Sequence, residues 1–442
     1  MNANRIIYAL VCVLLFAACK SEARIFYVDV LYGSDDNDGK TVSTAWKTIL
    51  RVNNQDLKSG DSVLFKAGHK WNARIRANNS GTNEGYIVYG KYGEGVNPLI
   101  DIQYKDGAAF YTSQSYIRIE NIDFSNTRNN ALVFINSHYI EIENVNVRFA
   151  EREPGTVTPD DFSKIGNNGI AFIDGGSNIY INNVMIAYAP NNGILFRGHA
   201  TNHISEVTVK NSYIHHALLN DGLTIHRDCC GGTAGKDFLV ENNKVEYCWE
   251  QGIDIDTGSF VKLINNISNE NGEGGIKVGY SAEDISIISH KSTNEPVKHK
   301  SAAVALSGNR VSLTKSRING KGHHLIAVVG LKNTPTRDVI INGNEFLWNG
   351  GSSIMDITGP VDNLTVINNR FQSVSGNYIN GGMKQRVIRF RSSTRPPNYK
   401  TFRFEDNQYS SDAIFQLAGE NNAQKSFNLS KFRSVYGQEK KR

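Results

Sequence analysis

Arg197, His226, Asp254, Asp256 and Lys277 each stand two or four places after a glycine, in a phrase of the form Gly-apolar-x-apolar-x. The phrase reads Gly193-Ile194-Leu195-Phe196-Arg197, then Gly222-Leu223-Thr224-Ile225-His226, then Gly252-Ile253-Asp254-Ile255-Asp256, then Gly275-Ile276-Lys277-Val278-Gly279. Alternation of this kind is that of a strand with one buried face, so all five ionisable residues fall on the outward face. An imidazole or an amine can take a proton there, and a guanidinium can neutralise an anion. Carboxyl groups can donate a proton or activate water. Three flanking acids join them as candidate substrate-binding groups: Asp221 just before Gly222, Asp228 just after His226, and Glu250 just before Gln251-Gly252. Asp221, Asp254 and Asp256 offer the hard oxygen ligands that a calcium ion takes.

These side chains can meet only if separate phrases stack. The phrase begins earlier, at Gly169-Ile170-Ala171-Phe172-Ile173, and recurs about every 23 to 30 residues, which is the mark of a solenoid. A second phrase alternates apolar residues and ends in Asn, as in Tyr139-Ile140-Glu141-Ile142-Glu143-Asn144, Ile179-Tyr180-Ile181-Asn182-Asn183 and Val366-Ile367-Asn368-Asn369. Asn tolerates a left-handed corner, and stacked corners let its amides bond along the axis. Each rung is therefore two or three short strands joined by sharp turns. Along the axis the first outward column reads Val133, Ala171, Leu195, Thr224, Asp254, Lys277, Ala305. The second reads Ile135, Ile173, Arg197, His226, Asp256, Gly279, Ser307. Charge appears only in the middle rungs of these columns. A merely solvated face would scatter it, and an exposed Asp254–Lys277 pair would contribute little stability. The clustering predicts one compact site, walled by the insertions Glu151 to Lys164 and Arg227 to Lys236.

Composition suits this architecture: 40 glycines and 9 prolines in 442 residues, since Gly serves corners and Pro removes ladder donors. The expected fold is all-β, a single-stranded right-handed parallel β-helix with an N-terminal cap. Residues 25–100 form the cap and first rungs, 101–410 the helix, and 411–442 a C-terminal cap and tail. Asp35, Asp36 and Asp38 are read as a polar turn. His215, His216, His323 and His324 are read as surface or ladder residues, and Trp249, Tyr247, Trp348 and Tyr280 as packing. Asp356 is placed outward near the far end, outside the cleft.

The first 18 residues carry a short basic start, an apolar run from Ile6 to Phe16 and then Ala17-Ala18-Cys19. Small residues directly before Cys resemble a bacterial lipoprotein signal. That resemblance implies cleavage before Cys19, lipid on its thiol, a linker over 19–24 and attachment to the outer membrane. The membrane is met through this lipid alone, and the chain is expected to be monomeric. Net charge is +5, a mild excess that permits an acidic partner. No basic run with interleaved aromatics suggests nucleic acid. Among Cys229, Cys230 and Cys248, one cross-loop disulfide is expected to be as plausible as free thiols.

Tyr27-Val28, Gly33 to Gly39, Ala45-Trp46-Lys47-Thr48 and Ser59-Gly60-Asp61-Ser62-Val63-Leu64-Phe65 together look like the opening of secreted bacterial right-handed parallel β-helix proteins, many of them polysaccharide lyases or glycoside hydrolases. The resemblance implies a polysaccharide substrate and four readings. In a lyase acting on a uronic-acid polymer, Arg197 or calcium neutralises the substrate carboxylate and Lys277 or His226 takes the C5 proton. Acidic residues around calcium with a nearby base resemble the β-helix pectate lyases in residue type. In an inverting hydrolase, Asp254 and Asp256 stand about 7 Å apart, inside the range that inversion requires. Gly275-Ile276-Lys277 is similar to the last element of the polygalacturonases, whose Asp-Asp and Gly-His-Gly pieces are absent here. A C5-epimerase shares the proton abstraction, and His226 near Asp228 is similar to an epimerase Asp-Pro-His element that lacks its Pro. A non-enzymatic glycan-binding surface protein is the fourth reading. The basic trio Arg197, His226 and Lys277 favours the lyase.

Overall fold

The computed structural model describes residues 22–105, 107–151, 167–199, 201–227, 234–295, 302–320, 323–373, 386–391, 397–409, 413–418 and 424–436. The signal segment, Cys19, Asp228, Cys229, Cys230 and nearly all of the insertion 151–164 lie outside the described residues. Among the described residues, no helix is long and apolar enough to cross a membrane.

The chain coils into a solenoid with three faces. Strands of the glycine phrase pair in parallel with their equivalents one turn on, and so do strands of the Asn phrase. A third set of short strands, such as Asn146–Arg148, Tyr213–His215 and Ile267–Asn269, closes each turn in its own 13-stranded sheet. The first two faces are counted as one 26-stranded sheet, because Leu132–Glu143 and Ile170–Asn182 run round the corner between them. Parallel pairing starts at Ile25–Val28 against Ser62–Lys66, so the opening residues are already rungs of the coil. The one antiparallel pairing of named strands among the described residues, Ile414–Ala418 with Gln424–Asn428, closes the far end.

The lumen is a stack of like on like. Phe134, Phe172 and Phe196 are fully buried, with stacked rings 4.6 and 5.4 Å apart. Asn144, Asn183, Asn211, Asn242 and Asn265 hold positive φ at the outer corners, as left-handed turns require. Their amides pair along the axis, Asn183 with Asn144 at 2.7 Å and Asn265 with Asn242 at 2.7 Å. A second ladder runs inside. Asn266 Oδ1 accepts from the Asn243 backbone at 3.0 Å and from its amide at 3.1 Å, and Asn266 Nδ2 donates to the Val240 carbonyl at 2.8 Å. Asn266→Ala is expected to cost about 2–4 kcal/mol by orphaning buried groups. Asn265→Gly, at the exposed neighbouring corner, is expected to cost under about 1 kcal/mol, since Gly accepts positive φ. Equal denaturant midpoints for the two variants would show that the inner ladder is not what holds the corner.

Glycine opens the phrase for a steric reason. A Cβ on Gly222 would lie 2.1 Å from Val245 Cγ1, and one on Gly193 would lie 2.4 Å from both Gly222 O and Ile214 Cγ2. The corner is pressed against the third face, and no side chain fits between.

Elsewhere the polar-turn reading of the acidic opening holds. Asp35 accepts from the Lys47 and Thr48 backbone, and Asp38 from the Lys40 backbone and the Thr44 hydroxyl. A short helix spans Ile49–Asn53 with Thr48 as its cap. Cys248 is a free, buried thiol, so of the two equally plausible readings the free thiol applies at this residue, and burial pushes its pKa up.

Candidate active site

Vertical registry is as the repeat predicts. Leu195 pairs with Thr224, Thr224 with Asp254, and Asp254 with Lys277, while Arg197 pairs with His226. Asp256 follows directly on the strand Gln251–Ile255, and its backbone bonds Ile225 of the preceding rung. Arg197, His226, Asp254, Asp256, Lys277, Asp221 and Glu250 all line one cavity of about 350 Å3, together with Thr224 and the corner residues Asn191, Asn192 and Asn220.

The first outward column differs from expectation in one respect. Its residues are the floor of a groove rather than a solvated face: Leu195, Thr224 and Asp254 are buried, Asp254 to 6%. The wider second column and the corner side chains rise on either side of it. Asp254 is therefore no surface partner of Lys277. Its Oδ2 accepts from Lys277 Nζ at 2.7 Å, inside the groove.

Burial raises the Asp254 carboxyl, and Lys277 pulls it back. Burial lowers the Lys277 ammonium, but Asp254, Asp221 and Asp256 outweigh it and the net shift is upward. Lys277 is thus held charged. Asp221 occupies a ladder position: its backbone bonds Asn192 Oδ1, and its own Oδ1 accepts from the Gln251 backbone at 3.0 Å. Asn130, Asn168 and Asn192 precede it in that stack, linked amide to amide at 2.6 and 2.9 Å. An acid in place of the next Asn is buried beside Asp254 and Glu250. Burial first, then those like charges, push Asp221 well above the usual carboxylate range. Asp256 moves the other way, because the His226 imidazole lies 3.3 Å from its Oδ2 and favours its ionised form.

Two buried polar atoms at this site have no partner among the described residues: Arg197 Nε, a donor, and Asp254 Oδ1, an acceptor. A buried polar group left unpaired is costly, so each points to a group that arrives from outside. An anion suits the guanidinium, and a hydroxyl suits the carboxylate.

Asp221, Asp254 and Asp256, the possible calcium ligands, all line this cavity. Among the described residues, no three His, Cys, Asp or Glu side chains are disposed to hold a metal ion, and Lys277 already occupies the cation's place beside Asp254.

Beyond the cavity, the first column continues through Ala305, Ala327, Asp356 and Arg389. Asp356 does not point to solvent as expected; it is fully buried. Arg389 Nε donates to its Oδ1 at 2.6 Å, and Arg391 Nε to its Oδ2 at 2.9 Å. His324, read from sequence as a surface or ladder residue, is also buried and bonds Ser353 Oγ at 2.7 Å. Two guanidinium groups thus cover the Asp356 carboxylate. Of the surface and ladder readings, His215 and His216 take the ladder one, with His216 stacked on Tyr247 and tilted against Tyr188.

Comparison with known proteins agrees on architecture. A family model described as a right-handed β-helix region matches residues 155–299. No curated protein sequence gives a significant match. Among solved structures, the catalytic domain of a GH87 α-1,3-glucanase, in complex with tetrasaccharides, is 11% identical with a TM-score of 0.51, covering 90% of this chain and 70% of its own. The GH136 lacto-N-biosidase from Eubacterium ramulus is 15% identical with a TM-score of 0.48, covering 87% of this chain and 67% of its own. The alginate lyase from Paenibacillus sp. is 13% identical with a TM-score of 0.45, covering 67% of this chain and 93% of its own. Strand order, register and the match of the family model together make this chain a right-handed parallel β-helix.

Proposed function

We propose that this protein cleaves an anionic polysaccharide by β-elimination at the cavity around Asp254. The observation that supports it best is the orphaned Arg197 Nε beside a carboxyl-lined cavity that also holds a charged Lys277. β-Elimination needs a neutralised uronate carboxylate, a base for the C5 proton and an acid for the leaving oxygen. Arg197 and Lys277 supply the positive charge. A lysine held as an ammonium is not the base, so that role falls to His226, whose Nδ1 faces Asp256 and whose Nε2 has no partner among the described residues. Asp256 fixes the ring in the tautomer that leaves Nε2 free to accept. Asp221 keeps its proton and donates it to the departing oxygen. The C5–H bond breaks, the C4–O bond breaks, and a C4=C5 double bond forms.

A second reading rests on a specific observation. Asp221 is pushed up and Asp256 down within one cavity, and a pair of carboxyl groups driven apart in this way can serve as acid and base for hydrolysis. Asp256 would then activate water for an inverting hydrolysis. Digestion of polygalacturonate, alginate and chondroitin sulfate, followed in parallel by ultraviolet absorbance and reducing-end assay, separates the two. The proposed reaction yields both signals in equal amounts, whereas reducing ends without absorbance would replace it with hydrolysis.

Lys277→Ala is expected to lower kcat/KM on the cleaved polymer by ~10²–10³-fold, the scale for losing one preorganised electrostatic contact. An unchanged rate would remove Lys277 from the mechanism. A lipid-anchored position outside the cell remains consistent with this substrate and is part of the same proposal. Labelling the exported protein with radioactive palmitate, with Cys19→Ser as control, would test it.

A further inference from the structure

We infer that the groove extends well beyond the catalytic cavity to a remote subsite for an acidic sugar, built by Arg74, Arg76 and Tyr111. This rests on the reading of the Asp254 cavity as a polysaccharide site. A second cavity of about 570 Å3 lies on the same face, lined by these three residues, by Asn78 and Asn129, and by the apolar Val133, Ile135 and Ile173. It adjoins the first, since Ile173 pairs directly with Arg197 in the next rung. Register carries the floor without a break from Arg76 through Tyr111, Val133, Ala171, Leu195 and Thr224 to Asp254. Those six steps, at about 4.8 Å each, make a trough on the order of 29 Å long. Such a length fits a chain of sugars rather than one ring.

The chemistry of this second cavity is that of sugar binding. Tyr111 is 41% exposed, unusual for so large a ring, and it stands one rung from the buried Val133. An exposed aromatic beside an apolar floor gives a pyranose face somewhere to lie. Arg76 is exposed and Arg74 half-buried, and among the described residues neither has a carboxylate partner. Arg74 lies across Gly107, where a Cβ would come within 2.5 Å of its Nη1. The glycine at this point, with φ of +98°, leaves room for the guanidinium over the cavity. Guanidinium forks match carboxylate and sulfate oxygens in pairs. The occupant is therefore the same anionic chain whose scissile bond sits at His226, held by a second acidic residue several sugars away. The enzyme would act within long chains.

The test compares wild type with Tyr111→Ala and Arg76→Ala, both surface changes. Binding is read by retardation in gels containing polygalacturonate, alginate or neutral dextran. Cleavage is read as the ratio of kcat/KM on the cleaved polymer to that on its tetrasaccharide. The expected result is a wild type retarded by an anionic gel and not by dextran, a loss of that retardation in each variant, and a fall of about tenfold in the ratio. If wild type binds and cleaves but the variants keep its ratio and its retardation, the remote subsite is wrong and the catalytic reading stands. If wild type neither binds nor cleaves any of these polymers, both fall together. Retardation by dextran as strong as by the acidic gels would overturn the anionic assignment.

Discussion

His226→Ala should lower turnover of the anionic polymer by ~10²–10⁴-fold, the usual contribution of a general base. The fold should survive, because His226 is exposed and its neighbours in the ladder are held by backbone bonds that the side chain does not make. The denaturant midpoint is expected to move by no more than the ±0.5 kcal/mol typical of surface changes. Asp256→Asn should also slow the reaction, but less, since it removes the group that orients the ring and leaves the ring itself. Retardation in an acidic gel should persist in His226→Ala, because the groups proposed to hold the chain, Arg197, Lys277, Arg76 and Tyr111, are all left in place. Wild-type turnover in His226→Ala would shift the base elsewhere. Loss of both binding and folding would mean that position 226 is structural.

Replacing Glu295 by Gln should flatten the fall of stability with rising pH. Glu295 is fully buried in the lumen, where Asn271 donates its backbone N–H to Oε2 at 2.6 Å and Ser292 its hydroxyl to Oε1 at 3.2 Å. Burial pushes its pKa up to about 8, from 4.5 in the open chain, against the opposing effect of those hydrogen bonds. The folded protein keeps a proton that the unfolded chain gives up. Its contribution is complete below about pH 4.5 and drains away as the pH climbs toward about 8. At 1.36 kcal/mol for each unit, the loss over that window is about 5 kcal/mol. Gln carries no charge at any of these pH values, so the difference in unfolding free energy between the two proteins should swing toward the variant as pH rises. Parallel stability curves for the two proteins from pH 5 to pH 8 would show that Glu295 is already ionised in the folded state.

Glu295 also marks where reading the chain alone falls short. It follows Asn271 in an inner ladder, as Asp221 follows Asn192 in another. Sequence alone shows Asp221 only as a neighbour of Gly222 and gives no cue for Glu295, because the two inner ladders run through corners whose facing depends on turn geometry. Asp356 is misplaced for the same reason, and the burial of His324, whose bond to Ser353 one rung on keeps the ladder reading, has the same origin. Alternation gives their strand and column, but whether an outward column meets water depends on what the neighbouring corners and later arginines place above it.

Local pattern by itself determined the architecture and the meeting of the five charged side chains. A period set by glycine and asparagine corners forces equivalent residues into vertical columns, because parallel strands one rung apart have nowhere else to pair. Arg197, His226, Asp254, Asp256 and Lys277 are brought together by that constraint alone. Tertiary structure decided the electrostatic surroundings of each group. Depth in the groove raises the Asp221 carboxyl, the acids around Lys277 keep it an ammonium, and His226 holds Asp256 below the usual carboxylate range. Those states depend on desolvation and on charges across rungs, which act through space and leave no trace in the spacing of residues along the chain.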